Sequence, residues 1–247
     1  MKLEIYTIED QARGHFNNGE ILENKPIGFP GDGGKLKPYS NIFYWAHAWT
    51  GSKKSTIGLH PHQGFEICSF VLKGKINHFD TKQNSWIPLS EGDVQIIRSG
   101  NGISHSEELM ENSEIFQIWF DPNLRVSLNK LASYDDYKSQ DFQILDSKWK
   151  KTKIIKNENS RLKMDSEGIE IFQYSYLDNK NDEISLKLDK IHSFFIIDGE
   201  ISINGKIISK GFFFTVRDQN LLKLKILSNS EIFRISSPKN VSYKTYS

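Results

Sequence analysis

The chain has 247 residues, 37% of them hydrophobic and 26% charged, which is long enough for one large or two modest domains with true cores. The 32 Lys and Arg against 31 Asp and Glu leave a net charge of +1, so no global field draws the chain to nucleic acid or an anionic membrane. One cysteine, Cys68, excludes an intramolecular disulfide framework and any zinc-finger, iron–sulfur or CxxC site, so a metal would need N and O ligands.

From the N-terminus, MKLEIYTIEDQARG turns acidic before a long apolar run forms, and no stretch nears the roughly 20 apolar residues of a membrane-spanning helix. The expectation is a soluble, cytoplasmic protein without a membrane partner and without direct nucleic-acid binding. GFPGDGGK (28–35) is glycine-rich but lacks the spacing and the Ser or Thr of a phosphate loop, and is read as a mobile loop. The aromatics Phe43, Tyr44, Trp45 and Trp49, with His47 among them, suit either a pocket wall or, more commonly, core packing.

Short apolar bursts rich in Ile, Val and Phe follow, separated by Gly, Asn, Asp and Ser: 42–49, 65–72, 75–79, 93–99 and 114–120. A second set lies at 169–177, 183–188, 193–199, 200–205, 211–216, 221–227 and 231–236. Strands spaced by about 8 to 12 residues predict an all-β antiparallel sandwich or barrel rather than a βαβ fold. Between the sets, 121–163 reads as a linker with one short helix around 124–138 and an edge strand near 152–156. The predicted domains are 1–130 and 131–247. The halves resemble each other, FVLKGKI (70–76) aligning with FIIDGEI (195–201) at an offset of 125.

The chemistry lies in the first set. His60 and His62 in GLHPHQGFE are two apart, which puts both imidazoles on one face of an extended strand, and Pro61 keeps the backbone from turning helical. SGNGISHSEE repeats the spacing with His105 and Glu107, after Gly100 and Gly102 supply a tight turn. Two such pairs on neighbouring strands can hold one mononuclear divalent ion, Fe(II), Mn, Ni, Cu or Zn, with two positions open. The alternative is a set of structural histidines satisfied by hydrogen bonds. Glu66, four residues after His62, is a candidate second base or orienting group, or a strand-edge carboxylate; Gln117, on a strand covered on both faces, needs a partner.

HPHQGFE (60–66), VLKGKINHFD (71–80), EGDVQIIRSGNGISHSE (91–107), IFQIWFDP (115–122) and the early Arg13-Gly14 resemble the pirin family of the cupin superfamily. The resemblance is specific over about 57–122. It implies two cupin (jelly-roll) β-barrels packed side by side in a monomer, the N-terminal one binding a single metal, commonly iron, through His60, His62, His105 and Glu107. The C-terminal barrel is then degenerate: the offset of 125 puts Ser185 and Lys187 opposite His60 and His62, and the lone His192 makes no site. The implied activity is that of a quercetin 2,3-dioxygenase-like oxidoreductase, taking O2 and a flavonol-like or enolised hydroxyketone substrate, with Glu107 or Glu66 as base. A metal-dependent regulatory module that binds a protein partner without turnover is the rival reading. Gln63, where the family commonly has a basic residue, and the segment 17–49 depart from the family pattern.

Overall fold

A computed structural model describes residues 2–177 and 179–246. The first half runs β1 (Lys2–Tyr6), β2 (Ala12–Phe16), β3 (Ile21–Ile27), β4 (Ile42–Thr50), β5 (Ser55–His62), β6 (Glu66–Lys73), β7 (Lys75–Asp80) and β8 (Trp86–Ser90). It continues with β9 (Val94–Arg98), β10 (Ile103–Leu109), β11 (Glu114–Phe120), a single helical turn α1 (Leu124–Ser127) and β12 (Ser133–Tyr137). The second half holds β13 (Gln143–Asp146), β14 (Lys150–Lys156), β15 (Glu170–Tyr176), β16 (Asn181–Ser185) and β17 (Lys190–Asp198). It ends with β18 (Glu200–Ile203), β19 (Lys206–Ser209), β20 (Phe213–Arg217), β21 (Leu221–Ile226) and β22 (Ser230–Pro238). The fold is almost entirely β-sheet.

Two compact units emerge. One comprises 10–141 with 164–167 and 241–247; the other comprises 1–9, 142–163 and 168–240. The first contains a seven-stranded sheet, β12-β9-β6-β11-β4-β3-β2, and a four-stranded sheet, β5-β10-β7-β8. The second contains β1-β20-β17-β22-β15-β14-β13 and β16-β21-β18-β19. Position by position the two orders correspond, so the internal repeat extends over both sheets and not only over the short aligned stretch. One exchange is invisible to local pattern: β1 pairs along β20, so the N-terminal strand completes the sheet of the C-terminal unit.

Alternating apolar residues build each core. Val71, Ile76, Leu89, Leu109 and Ile115 meet between the sheets of the first unit, and Phe194, Ile196, Ile201, Phe214, Leu224 and Ile232 between those of the second. Two sequence expectations change. The helix expected over 124–138 is the one turn of α1 followed by strand β12, because SYDDY pairs with β9 as an edge strand whose polar side chains need no apolar alternation. The strand near 152–156 is β14, which lies inside the sheet with β13 beyond it rather than at the edge. The loop 28–35 is pinned, since Asp32 binds Lys25 Nζ at 2.8 Å and accepts a hydrogen bond from the Phe29 amide.

Gly74 and Gly199, 125 residues apart, occupy the same turn from one sheet to the other in each unit, between β6 and β7 and between β17 and β18, with φ of 74° and 82°. A Cβ at Gly199 would overlap the carbonyl oxygen of Asn229 and the Cα of Ser230. Gly199→Ala is therefore expected to cost at least about 2 kcal/mol, read as a lower urea midpoint. Gly51→Ala, which meets nothing within 4 Å, should stay within about 0.5 kcal/mol of the parent.

Candidate metal centre

Strand β10 pairs antiparallel with β5 so that His105 stands directly across from His60, and Ile103 across from His62. The register shifts between His105 and Glu107, a bulge that bends the ladder beside the histidines. One ring nitrogen from each of His60, His62 and His105 lies within 4.8 Å of the other two. His62 Nε2 and His105 Nε2 are 3.0 Å apart, and the His60 ring centroid is 4.4 Å from that of His105. His60 Nδ1 lies 2.7 Å from the Gly58 carbonyl oxygen, which can only accept, so the proton sits on Nδ1 and Nε2 offers its lone pair.

Electrostatics keep His62 and His105 neutral. Burial, then the neighbouring His60, lowers the His62 pKa to about 4; burial, then His60, His62 and His78, lowers that of His105 to about 2. Imidazoles packed this closely offer convergent ring nitrogens, which is the donor set of a first-row divalent ion. The residues present therefore fit a metal.

Glu107 is 1% exposed and points from the same face of β10. Its Oε1 accepts hydrogen bonds from Ser69 Oγ at 2.8 Å and Gln95 Nε2 at 2.9 Å, while Gln117 Nε2 donates to Oε2. Gln117 thus has its partner. Its own Oε1 accepts from Trp119 Nε1 at 3.1 Å, and Trp119 lies 5.2 Å from the His62 ring and stacks on Phe65 at 4.9 Å. The carboxylate is held by neutral donors from three strands of the seven-stranded sheet, so its orientation is fixed by the fold.

Glu66 is placed elsewhere. It leaves β6 on the opposite face from Ser69, and its carboxylate accepts from the amides of Asp165 and Ser166 at 2.7 and 2.9 Å and from the Ser166 hydroxyl. There it pins the segment 164–167. Burial raises its pKa despite those bonds. The aromatic run divides: Tyr44 packs on Trp119 at 4.5 Å and Phe43 on Phe65 at 5.2 Å, whereas Trp45 is core, set edge-on against Phe116. Cys68 is buried, and burial pushes its thiol well up.

Sequence reading passed over His78 and Asp80, two apart like the ligand pairs. Both are fully buried; His78 Nε2 binds Asp80 Oδ2 at 2.8 Å and its ring stacks on Tyr134 at 4.4 Å, 5.8 Å from the His105 ring. The parity that singled out His60 and His62 applies equally to KINHFD. In the other unit, His192 has both ring nitrogens engaged, by Ser236 Oγ and by the Lys187 backbone.

Comparison with known proteins agrees with this geometry. The pirin family profile matches residues 36–120. The chain is 24% identical over 187 residues to the quercetin 2,3-dioxygenase of Escherichia coli, covering 73% of this chain and 76% of that protein. It is 42% identical over 65 residues to a pirin-like protein of Caulobacter vibrioides, where the match spans 26% of this chain and only 28% of the relative. The crystal structure of the bacterial pirin YhhW from Escherichia coli in complex with nickel(II) superposes with a TM-score of 0.77 at 19% identity, over 97% of this chain and all of that one.

Two outcomes follow from the centre. Metal analysis should find about one ion per chain in the parent and in His192→Ala, and under about a tenth of an ion in His60→Ala and His105→Ala. For the metal-free protein, His62, His105 and His192 all have folded-state pKa values below the unfolded value of about 6.5, so the unfolded chain binds more protons in acid. Their contribution is complete above pH 6.5 and is lost as pH falls from 6.5 toward 4 and below. The melting temperature of the metal-free form should accordingly be flat in this contribution above pH 7 and decline through that window, less steeply in His105→Ala.

Proposed function

Because the chain belongs to the pirin family of the cupin superfamily, and three imidazoles converge beside an aromatic wall, we propose that it is a metal-dependent dioxygenase of flavonol-like or related enolised hydroxyketone substrates. The convergence of His60, His62 and His105 carries the reading. We take each pair of sheets as a closed jelly-roll barrel, the first one active.

His60, His62 and His105 would hold one divalent ion, which we assign as Fe(II), with Glu107 as the fourth donor; when bound, the ion supplies a Lewis acid and a one-electron partner for O2. The chain's own residues do the rest. Trp119 and Phe65, stacked on each other and flanking His62, offer a flat apolar surface for an aromatic ring. The rings also exclude water from that side of the histidines, which strengthens electrostatics within the site. Ser69, Gln95 and Gln117 hold the Glu107 carboxylate ready to take the proton of a substrate enol hydroxyl. Of the two carboxylates considered as base, we assign the role to Glu107, because Glu66 is engaged by the backbone amides of Asp165 and Ser166.

The test is oxygen uptake by iron-loaded, reduced protein with quercetin and a panel of hydroxyketones. One O2 consumed per flavonol lost, absent in His105→Ala, is the expected result. Neither O2 uptake nor substrate loss across the panel would overturn the proposal and leave the regulatory reading. Gln117→Leu removes a donor to Glu107 and an acceptor for Trp119. It should keep most of the metal and lower turnover by about 10- to 100-fold, measured as kcat at matched metal content.

A further inference from the structure

The C-terminal unit has lost the ligands of the first site but not the place. A cavity of about 340 Å³ there is lined by residues including Ser185, Lys187, His192, Phe172, Leu186 and Arg234. The offset of 125 sets Ser185 and Lys187 at the positions of His60 and His62. Strand register supplies a third correspondence. Gln117 pairs with Ser69 across β11 and β6, and Arg234 pairs with Phe194, the residue 125 after Ser69, across β22 and β17. The cavity is thus the second unit's counterpart of the metal centre, with an arginine where Gln117 orients Glu107.

Arg234 is 5% exposed, and its guanidinium has no carboxylate within ion-pair distance among the described residues. Nη1 reaches only the Ser185 carbonyl at 3.4 Å, and Nε is buried without an acceptor. Its Cζ sits 4.2 Å from the centroid of the Phe172 ring, which supports one face of the guanidinium. The neighbouring acid, Glu170, is held by Lys187 at 2.6 Å and Lys190 at 3.0 Å. An arginine cannot shed its proton, so a buried one without a counter-ion is costly unless a ligand supplies the anion.

We propose that this cavity binds a small organic monocarboxylate, its carboxylate on the Arg234 guanidinium and its apolar body against Phe172 and Leu186. Arg234, with Lys187 and Lys190 sharing Glu170, makes three cations against Glu170 and Glu158, an excess of one positive charge that suits one negative charge and disfavours a dianion such as phosphate. The volume is that of a small-ligand site. No metal can be held there, because His192 has both nitrogens occupied and Ser185 and Lys187 offer no ligand pair.

Titration calorimetry of the full chain with benzoate tests this, using the parent, His60→Ala, Arg234→Gln and Asn159→Trp. Asn159 is exposed on the cavity wall, so a tryptophan there blocks the cavity without touching the core. Saturable one-site binding in the parent and in His60→Ala, weakened at least about tenfold in both Arg234→Gln and Asn159→Trp, is the expected result. Should Arg234→Gln fail to fold, Asn159→Trp decides alone. The proposal is overturned by absence of saturable benzoate binding to the parent, by binding unchanged in Asn159→Trp, or by tighter binding of inorganic phosphate. Loss in His60→Ala with retention in Arg234→Gln would assign the benzoate to the metal centre and overturn it equally. Because His60→Ala is expected to bind benzoate, the outcome is independent of whether the first site turns over a flavonol.

Discussion

The antiparallel pairing of β5 with β10 is the constraint on which the site rests. Placing His105 opposite His60 brings a ring from each strand to one point, and the two-residue spacing adds His62 from the same face. A slip of one residue in that register would turn His105 out of the interior and disperse the centre. Apolar packing between the two sheets of the unit enforces the register, since the same slip would expose Leu109. Ligand geometry and hydrophobic core are therefore one specification.

Around that pairing the polar interior is built as a shell. The bonds to Glu107 from Ser69, Gln95 and Gln117 span β6, β9 and β11, adjacent strands of the facing sheet. Such a network satisfies a buried carboxyl group with neutral donors and fixes its orientation from three strands. Trp119 closes the chain of contacts by linking Gln117 to the ring of His62. Orientation of the acid and shape of the aromatic wall thus depend on the same two residues, Gln117 and Trp119.

Much of this was legible in the sequence. The apolar bursts mark most of the central strands, and the short repeat FVLKGKI and FIIDGEI points to two units that match strand for strand. His60, His62 and His105 follow from a spacing of two on extended chain. What was not legible depends on distant partners. Nothing in KLEIY says that β1 will join β20, and SYDDY reads as helix or linker because an edge strand needs no apolar face. The direction of Glu66 was hidden by the turn at Gln63 and Gly64, whose φ of 90° resets the alternation, and its partners lie about 100 residues away. His78 and Asp80 carried the same parity signal as the ligands, and spacing alone does not separate a histidine that binds its own neighbouring carboxylate from one free to bind an ion.

The correspondence of the two units also frames their divergence. The same scaffold holds imidazoles and a carboxylate in one unit and an arginine over a phenylalanine in the other. X-ray absorption of the iron-loaded protein tests the central claim most directly, because multiple scattering from imidazole rings counts the histidines on the ion. The account predicts three in the parent protein; an ion bound with no imidazole, or with fewer than three, would contradict it.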